Sequence, residues 1–274
     1  MAHELMERYS KLVDAKLRAS LIKKDGVIFN NRYEGNPTAG AVKVPVRDTE
    51  VAVNAYSKTD GANPTHGDTS YITVTIDKDY AVNEIIDGFD AAAVPDNLVA
   101  DRLDSAGYSL ALQIENDATS VLVSAATKMS NTEASTVETA YNNVVDARAA
   151  LSKVHVPNDG KRILLANPDF YALILKDTDH FTHATDLGDA VIATGAVGKI
   201  GGFLVFEDYT LPEGVEFIVG HPNWCTRVNE WMVPVKIQDL AGSGKYIGAS
   251  AVQGRRVYAH KVTKAKTLLK KTNA

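Results

Sequence analysis

Over residues 96–129 the chain contains no proline and a single glycine, Gly107. Within that stretch Val99, Leu103, Ala106, Leu110, Ile114, Ala118, Val121 and Ala125 recur at steps of three or four, and so share one face of a helix. About 34 residues at 1.5 Å each make a rod on the order of 50 Å long, whereas an ordinary helix has roughly 11 to 12 residues. Such a rod exceeds the core of one compact domain. It predicts an elongated subunit whose function lies in what packs along it.

The segments before the rod have different periods. Residues 4–24 place Leu5, Tyr9, Leu12, Val13, Leu17 and Leu21 at helical spacing, interleaved with Arg8, Lys11, Lys16, Arg18, Lys23 and Lys24. This predicts a basic amphipathic helical arm closed by Asp25 and Gly26. The period then becomes two. Val42, Val44 and Val46 alternate with Lys43, Pro45 and Arg47, and Ile72, Val74 and Ile76 alternate with Thr73 and Thr75. Between them lies a polar stretch dense in turn residues, TDGANPTHGD at residues 59–68. The pattern is a long two-stranded hairpin, with Pro45 marking an edge strand. A lone hairpin is marginal in water, so this one is expected to rest on another subunit.

After the rod the chain has ordinary globular character. Ser135 and Glu138 read as a capping box opening a helix to about Lys153, with Val137, Tyr141, Val144 and Leu151 as its apolar stripe. Residues 158–160, Asn-Asp-Gly, turn the chain into a short strand at 162–166. Asn167 and Pro168 then cap a second helix with proline at its first position. Further strands are expected at 203–206, 215–219 and 256–262.

The net charge of −5 gives no global case for nucleic-acid binding, but its distribution is uneven. Residues 84–117 carry eight acidic groups against Arg102 alone, and residues 255–274 carry seven basic groups and no acid. Stripes of opposite sign suit electrostatic pairing between copies; solvated faces are the plainer alternative. Cys225 is the only cysteine, which excludes an intrachain disulfide and a thiolate metal cage and fits a reducing compartment. The first residues lack signal-peptide character, and no apolar run approaches the length of a membrane span.

Candidate catalytic motifs fail on context. Residues 107–111, GYSLA, resemble a nucleophile elbow, but that motif needs a strand and a sharp turn, and Ser109 falls within the helical stripe. Residues 195–200, GAVGKI, resemble a phosphate-binding loop two residues too short, with Ile200 in the place of the metal-binding hydroxyl. Asp177, Asp179, His180, His183 and Asp186 form the densest set of potential metal ligands, in a segment with the composition of an exposed loop. The expectation is therefore no catalytic residue, no metal and no cofactor.

The order of parts resembles the Hong Kong 97-type major capsid protein of tailed bacteriophages. Local segments resemble that family too: RILLANPDFY at 162–171, GKIGGFLVF at 198–206, FIVGHP at 217–222 and GRRVY at 254–258. The resemblance implies an α+β fold in five parts: an N-terminal arm (residues 1–35), an extended β-hairpin loop (36–80), a peripheral domain with the spine helix (81–132), an α/β axial domain (133–250), and a peripheral-domain strand with basic tail (251–274). It implies self-assembly into hexamers and pentamers of an icosahedral shell around double-stranded DNA, in the virion, after assembly in the host cytoplasm.

Some members carry a scaffolding region before the arm. With the arm beginning at Met1, a separate scaffolding protein and a portal are the expected partners, with no membrane. Some members crosslink a hairpin lysine to a neighbour; Lys58 has no recognisable partner motif, and no crosslink is expected. Lys58, Asp60, Asp68, Asp101, Asp104, Arg255 and Arg256 are the expected inter-subunit contacts. The rival readings are an encapsulin-like compartment shell, distinguished by protein cargo in place of DNA, and a soluble α/β hydrolase using Ser109.

Overall fold

The run Ile-Leu-Leu-Ala at 163–166 is apolar at every position, as a strand covered on both faces must be. In the computed structural model, which describes residues 16–33, 40–47, 50–62, 66–94, 97–177, 182–183 and 198–273, that run is the middle strand of the larger of three sheets. In chain order the elements are β1 (Ala41–Val46), β2 (Ser70–Thr75), β3 (Lys78–Ile86), α1 (Gly88–Ala93), α2 (Leu98–Ala125), β4 (Thr127–Lys128) and α3 (Val137–Lys153). Then follow β5 (Ile163–Ala166), α4 (Pro168–Lys176), β6 (Thr182–His183), β7 (Gly198–Ile200), β8 (Phe203–Glu207), β9 (Val215–Gly220), β10 (Cys225–Asp239), β11 (Ser250–Val262) and β12 (Leu269–Thr272).

Seven strands form one sheet in the order β4-β12-β9-β5-β8-β7-β6, with β5 parallel to β8 and antiparallel to β9. Alternation along β5 sends Ile163 and Leu165 into a cluster with Ala118 and Leu122 of α2. It sends Leu164 and Ala166 into a second cluster with Val144, Ala147 and Leu151 of α3 and Phe170 and Ile174 of α4. All four β5 side chains are buried, and fully burying a leucine or isoleucine contributes roughly 1.5–3 kcal/mol. Helix α4 starts as its sequence says: Asn167 accepts from the Phe170 amide, with Pro168 at the first position. The capping box of α3 lies one residue later than expected, at Thr136 and Thr139. Ser135 instead gives its amide and hydroxyl to the buried Glu216 carboxylate, at 2.8 and 2.6 Å.

A second sheet has the order β10-β11-β3, all antiparallel. Its fifteen-residue β10 contains Pro234, which sits at a register shift between Val233 and Lys236, where the missing amide costs no ladder bond. Helix α2 has 28 residues, about 42 Å, rather than 34. It begins at Asn97, whose side chain accepts from the Ala100 amide, and stops where β4 joins β12. Ala106 packs on the three-stranded sheet, while Ala118 and Leu122 pack on the seven-stranded one. The rod spans two cores, and Leu122 takes the buried place expected of Val121.

Three expectations change. Of the arm expected at 4–24, residues 4–15 lie outside the described residues, and residues 16–24 are not helical. Leu17 is fully exposed and Lys23 is 2% exposed, the reverse of the amphipathic reading. The amides of this strap are taken by side chains of α2: Ala19 N–H donates to the Tyr108 hydroxyl (2.9 Å), and Ile22 and Lys23 N–H donate to the Glu115 carboxylate (2.9 and 3.0 Å). The β1–β2 hairpin pairs as predicted, from Ala41 with Thr75 to Val46 with Ser70. However, its base rests on the chain itself, where Val44 and Val74 pack against Val228 and Ala259. Finally, the basic end of the chain is not a solvated tail. β12 is an inner strand of the large sheet, and Lys271 is completely buried there, donating to the Glu133 carbonyl and facing Glu216 at 3.6 Å.

Candidate assembly surface

The far part of the hairpin loop places three large apolar side chains in solvent within six residues. Val51, Val53 and Tyr56 are 85%, 99% and 77% exposed. Beyond them Ser57 and Gly61 exchange backbone hydrogen bonds (3.0 and 2.9 Å), and Gly61 takes the positive φ of 71° that closes the turn. The Ser57 hydroxyl accepts from the Thr59 and Asp60 amides at 3.2 Å, which fixes the turn carrying Lys58 and Asp60. Lys58, Asp60 and Asp68 are all exposed. Sequence reasoning picked out these charges but missed the apolar residues. The available signal was Val51 and Val53 in alternation beyond the last paired position of β1.

The other expected contacts form pairs within the chain. Asp101 meets Lys16 at 2.6 Å and Asp104 meets Arg18 at 2.6 Å, so the acidic start of α2 holds the strap's basic end. The Arg18 hydrogen bond holds the Asp104 carboxyl below its ordinary range. Arg255 donates through Nε and Nη2 to Asp79 of β3 at 2.8 and 2.5 Å and lies over the Trp231 ring at 5.3 Å. Arg256 donates Nη2 to Asn229 at 3.0 Å, and its Nε is buried with no hydrogen-bond partner among the described residues.

Beneath the strap lies a buried charge cluster that no spacing in the sequence announced. Lys23 Nζ is 2.6 Å from Asp208 Oδ2, 3.0 Å from Thr210 Oγ1 and 3.4 Å from Glu115 Oε1. The four side chains come from three segments: Lys23 from the strap, Asp208 and Thr210 from the β8–β9 connection, and Glu115 from α2. Removing one partner of such a set strands the others in a low-dielectric interior. Next to it Arg227 of β10 donates to the Lys23 carbonyl and to Asp25, both at 2.9 Å, and to His260 Nε2 at 2.8 Å. Asn30 completes the strap's docking, giving its side-chain amide to the Pro222 and Cys225 carbonyls at 2.7 and 2.9 Å.

The motifs weighed for catalysis have ordinary settings. Ser109 lies mid-helix, exposed, and donates to the Ser105 carbonyl at 2.9 Å. Asp177 ends α4, and Gly198, Lys199 and Ile200 form β7. Of the proposed metal-ligand set, Asp179, His180 and Asp186 lie outside the described residues, and residues 195–197 of the glycine-rich motif do too. Among the described residues no group of three or more His, Cys, Asp and Glu is placed to hold a metal ion. Nor is any described helix long and apolar enough to cross a membrane. Burial pushes the Cys225 thiol up to about 12.

The same architecture occurs in solved structures. One titled Mycobacterium phage Che8 superposes with a TM-score of 0.77 at 19% identity, covering 98% of this chain and 97% of that one. The capsid of Cyanophage P-SCSP1u gives a TM-score of 0.79 at 12% identity, covering 98% and 93%. The capsid of a native GTA particle gives 0.68 at 13% identity, covering 98% and 95%. No curated protein matches the chain significantly. A family model described as phage capsid protein matches residues 84–267, from β3 through α2 and the large sheet almost to β12. The chain belongs to the phage capsid protein family and is a phage major capsid protein.

Proposed function

We propose that this subunit assembles with copies of itself, as hexamers and pentamers, into an icosahedral shell that encloses double-stranded DNA, and that it has no enzymatic activity. The observation that carries this reading is the outer part of the hairpin loop. Val51, Val53 and Tyr56 stand in solvent on a segment that forms no β-ladder among the described residues. A monomer gains nothing from that exposure, whereas a neighbour in a closed symmetric assembly gives it burial at every copy. Lys58, Asp60 and Asp68 would rim this contact. Asp101, Asp104, Arg255 and Arg256 would add charge at a second one, through the parts of their side chains left open beside their intrachain partners.

In this reading residues 16–33 belong to the N-terminal arm, β1 and β2 to the extended loop, α2 is the spine, and strands β5 to β9 of the seven-stranded sheet lie in the axial domain. A separate scaffolding protein and a portal complete the list of partners, and the product is a virion assembled in the host bacterial cytoplasm. Contacts to DNA would be to phosphates, and so would weaken as salt rises.

Negative-stain electron microscopy of the purified protein, alone and co-expressed with a scaffolding protein, tests the proposal. Closed shells or capsomer rings are the expected result. A small monodisperse particle under every condition would overturn it. DNA inside the shells, as opposed to protein cargo, separates a virion from a compartment.

A further inference from the structure

We propose that the strap of residues 19–30 is an acid-released latch, closed over His260 and let go from the long helix and the sheet when that ring gains a proton. Residues 22, 28 and 29 of the strap are buried against the chain, and the Phe29 ring lies 5.0 Å from the His260 ring. His260 is 8% exposed; its Nε2 accepts from Arg227 Nε, which places the proton of the neutral ring on Nδ1. That Nδ1 is buried with no hydrogen-bond partner among the described residues. The same Arg227 holds the strap through the Lys23 carbonyl and Asp25. A proton on Nε2 removes the acceptor and sets a second cation against the guanidinium, so the disturbance falls on the group that grips the strap.

The surroundings give an imidazolium no compensation. Arg227 faces the ring from β10, Tyr258 from its own strand at 5.3 Å, and Phe29 from the strap; Lys78 and Arg256 add positive charge. The nearby carboxylates have other partners. Asp25 is paired with Arg227, Asp117 of α2 accepts from the Tyr258 hydroxyl at 2.7 Å, and Glu115 accepts from the strap amides and Lys23. Burial first, then the charges of Arg227, Lys78 and Arg256, pushes the ring down to about 3.

With the strap lifted, the ring meets water and returns to its ordinary value of about 6.5. The open state therefore binds more protons at every pH between about 3 and 6.5. The latch is fully held above that window and weakens as pH falls through it, by about tenfold per unit. Two units below 6.5 the opening equilibrium shifts by about a hundredfold.

Hydrogen exchange of the Ala19, Ile22 and Lys23 amides between pH 7.5 and 4.5, corrected for intrinsic chemical exchange, reads this directly. The Leu164 and Leu165 amides of β5 serve as the internal reference. The expected result is strap opening that rises about tenfold per unit below pH 6.5 while β5 stays protected. His260→Gln keeps an acceptor for Arg227 without titrating and should flatten the slope. Equal opening of strap and β5, a pH-independent strap, or an unchanged slope in His260→Gln would each overturn the latch. Should that variant not fold, the wild-type ring titration by nuclear magnetic resonance decides. A His260 that protonates near 6.5 while the strap amides stay protected would end the proposal.

Discussion

The β5–β9 pair and the β1–β2 pair are both antiparallel ladders, and each is read from a short apolar run. In β5 and β9 every side chain is buried, because helices α2 and α3 cover the two faces. In β1 and β2 only Val44 and Val74 are fully covered, where the hairpin base meets Val228 and Ala259; beyond them the loop carries Val51 and Val53 into solvent. The first ladder is stabilised within the subunit, and the second leaves its outer part for something else. The difference separates apolar surface that the fold covers from apolar surface that the subunit leaves exposed.

Four changes would break or sharpen that contrast. Lys23→Met, beneath the strap, leaves Asp208 and Glu115 buried without their cation, and should cost about 3–5 kcal/mol in denaturant unfolding. Adding Asp208→Asn should restore part of that loss, and a double variant no more stable than the single one would mean the cluster is not coupled. In the covered sheet, Leu164→Ala should cost about 2–5 kcal/mol, since its side chain is fully enclosed.

Gly254 of β11 gives a smaller effect. A Cβ there would lie 2.7 Å from Val235 Cγ2 and 3.3 Å from Leu110 Cδ1, so Gly254→Ala should destabilise by about 1–3 kcal/mol through overpacking. At the other extreme, Val53→Ser should leave the melting temperature of the unassembled subunit unchanged while lowering shell yield on sedimentation. Equal yield of wild-type and Val53→Ser shells would remove the hairpin loop from the assembly contact.

Much of this architecture could be read from local pattern. The alternation at 42–46 and 72–76 gave β1 and β2, the proline-free stripe gave α2, and Asn167 with Pro168 gave the start of α4. What was missed has two causes. β3 and the outer half of β10 mix apolar residues with Lys78, Asp79, Glu84 and Lys236, because only part of each strand is covered. The strap has helical spacing, yet its amides found stronger partners in Glu115 and Tyr108 some ninety residues away.

The sequence by itself determined the elements whose backbone hydrogen bonds are local or whose side-chain period is uninterrupted. A helix closes its bonds within four residues, and a hairpin closes them across one turn, so composition nearby is enough. Tertiary structure alone decided which charges go inside. Lys23 and Lys271 sit in basic stretches that look solvated, but a buried ammonium is tolerable only where carboxylates and carbonyls from distant segments converge on it. That convergence of Asp208, Glu115, Glu216 and Glu133 is a property of the folded chain, and no local window contains it.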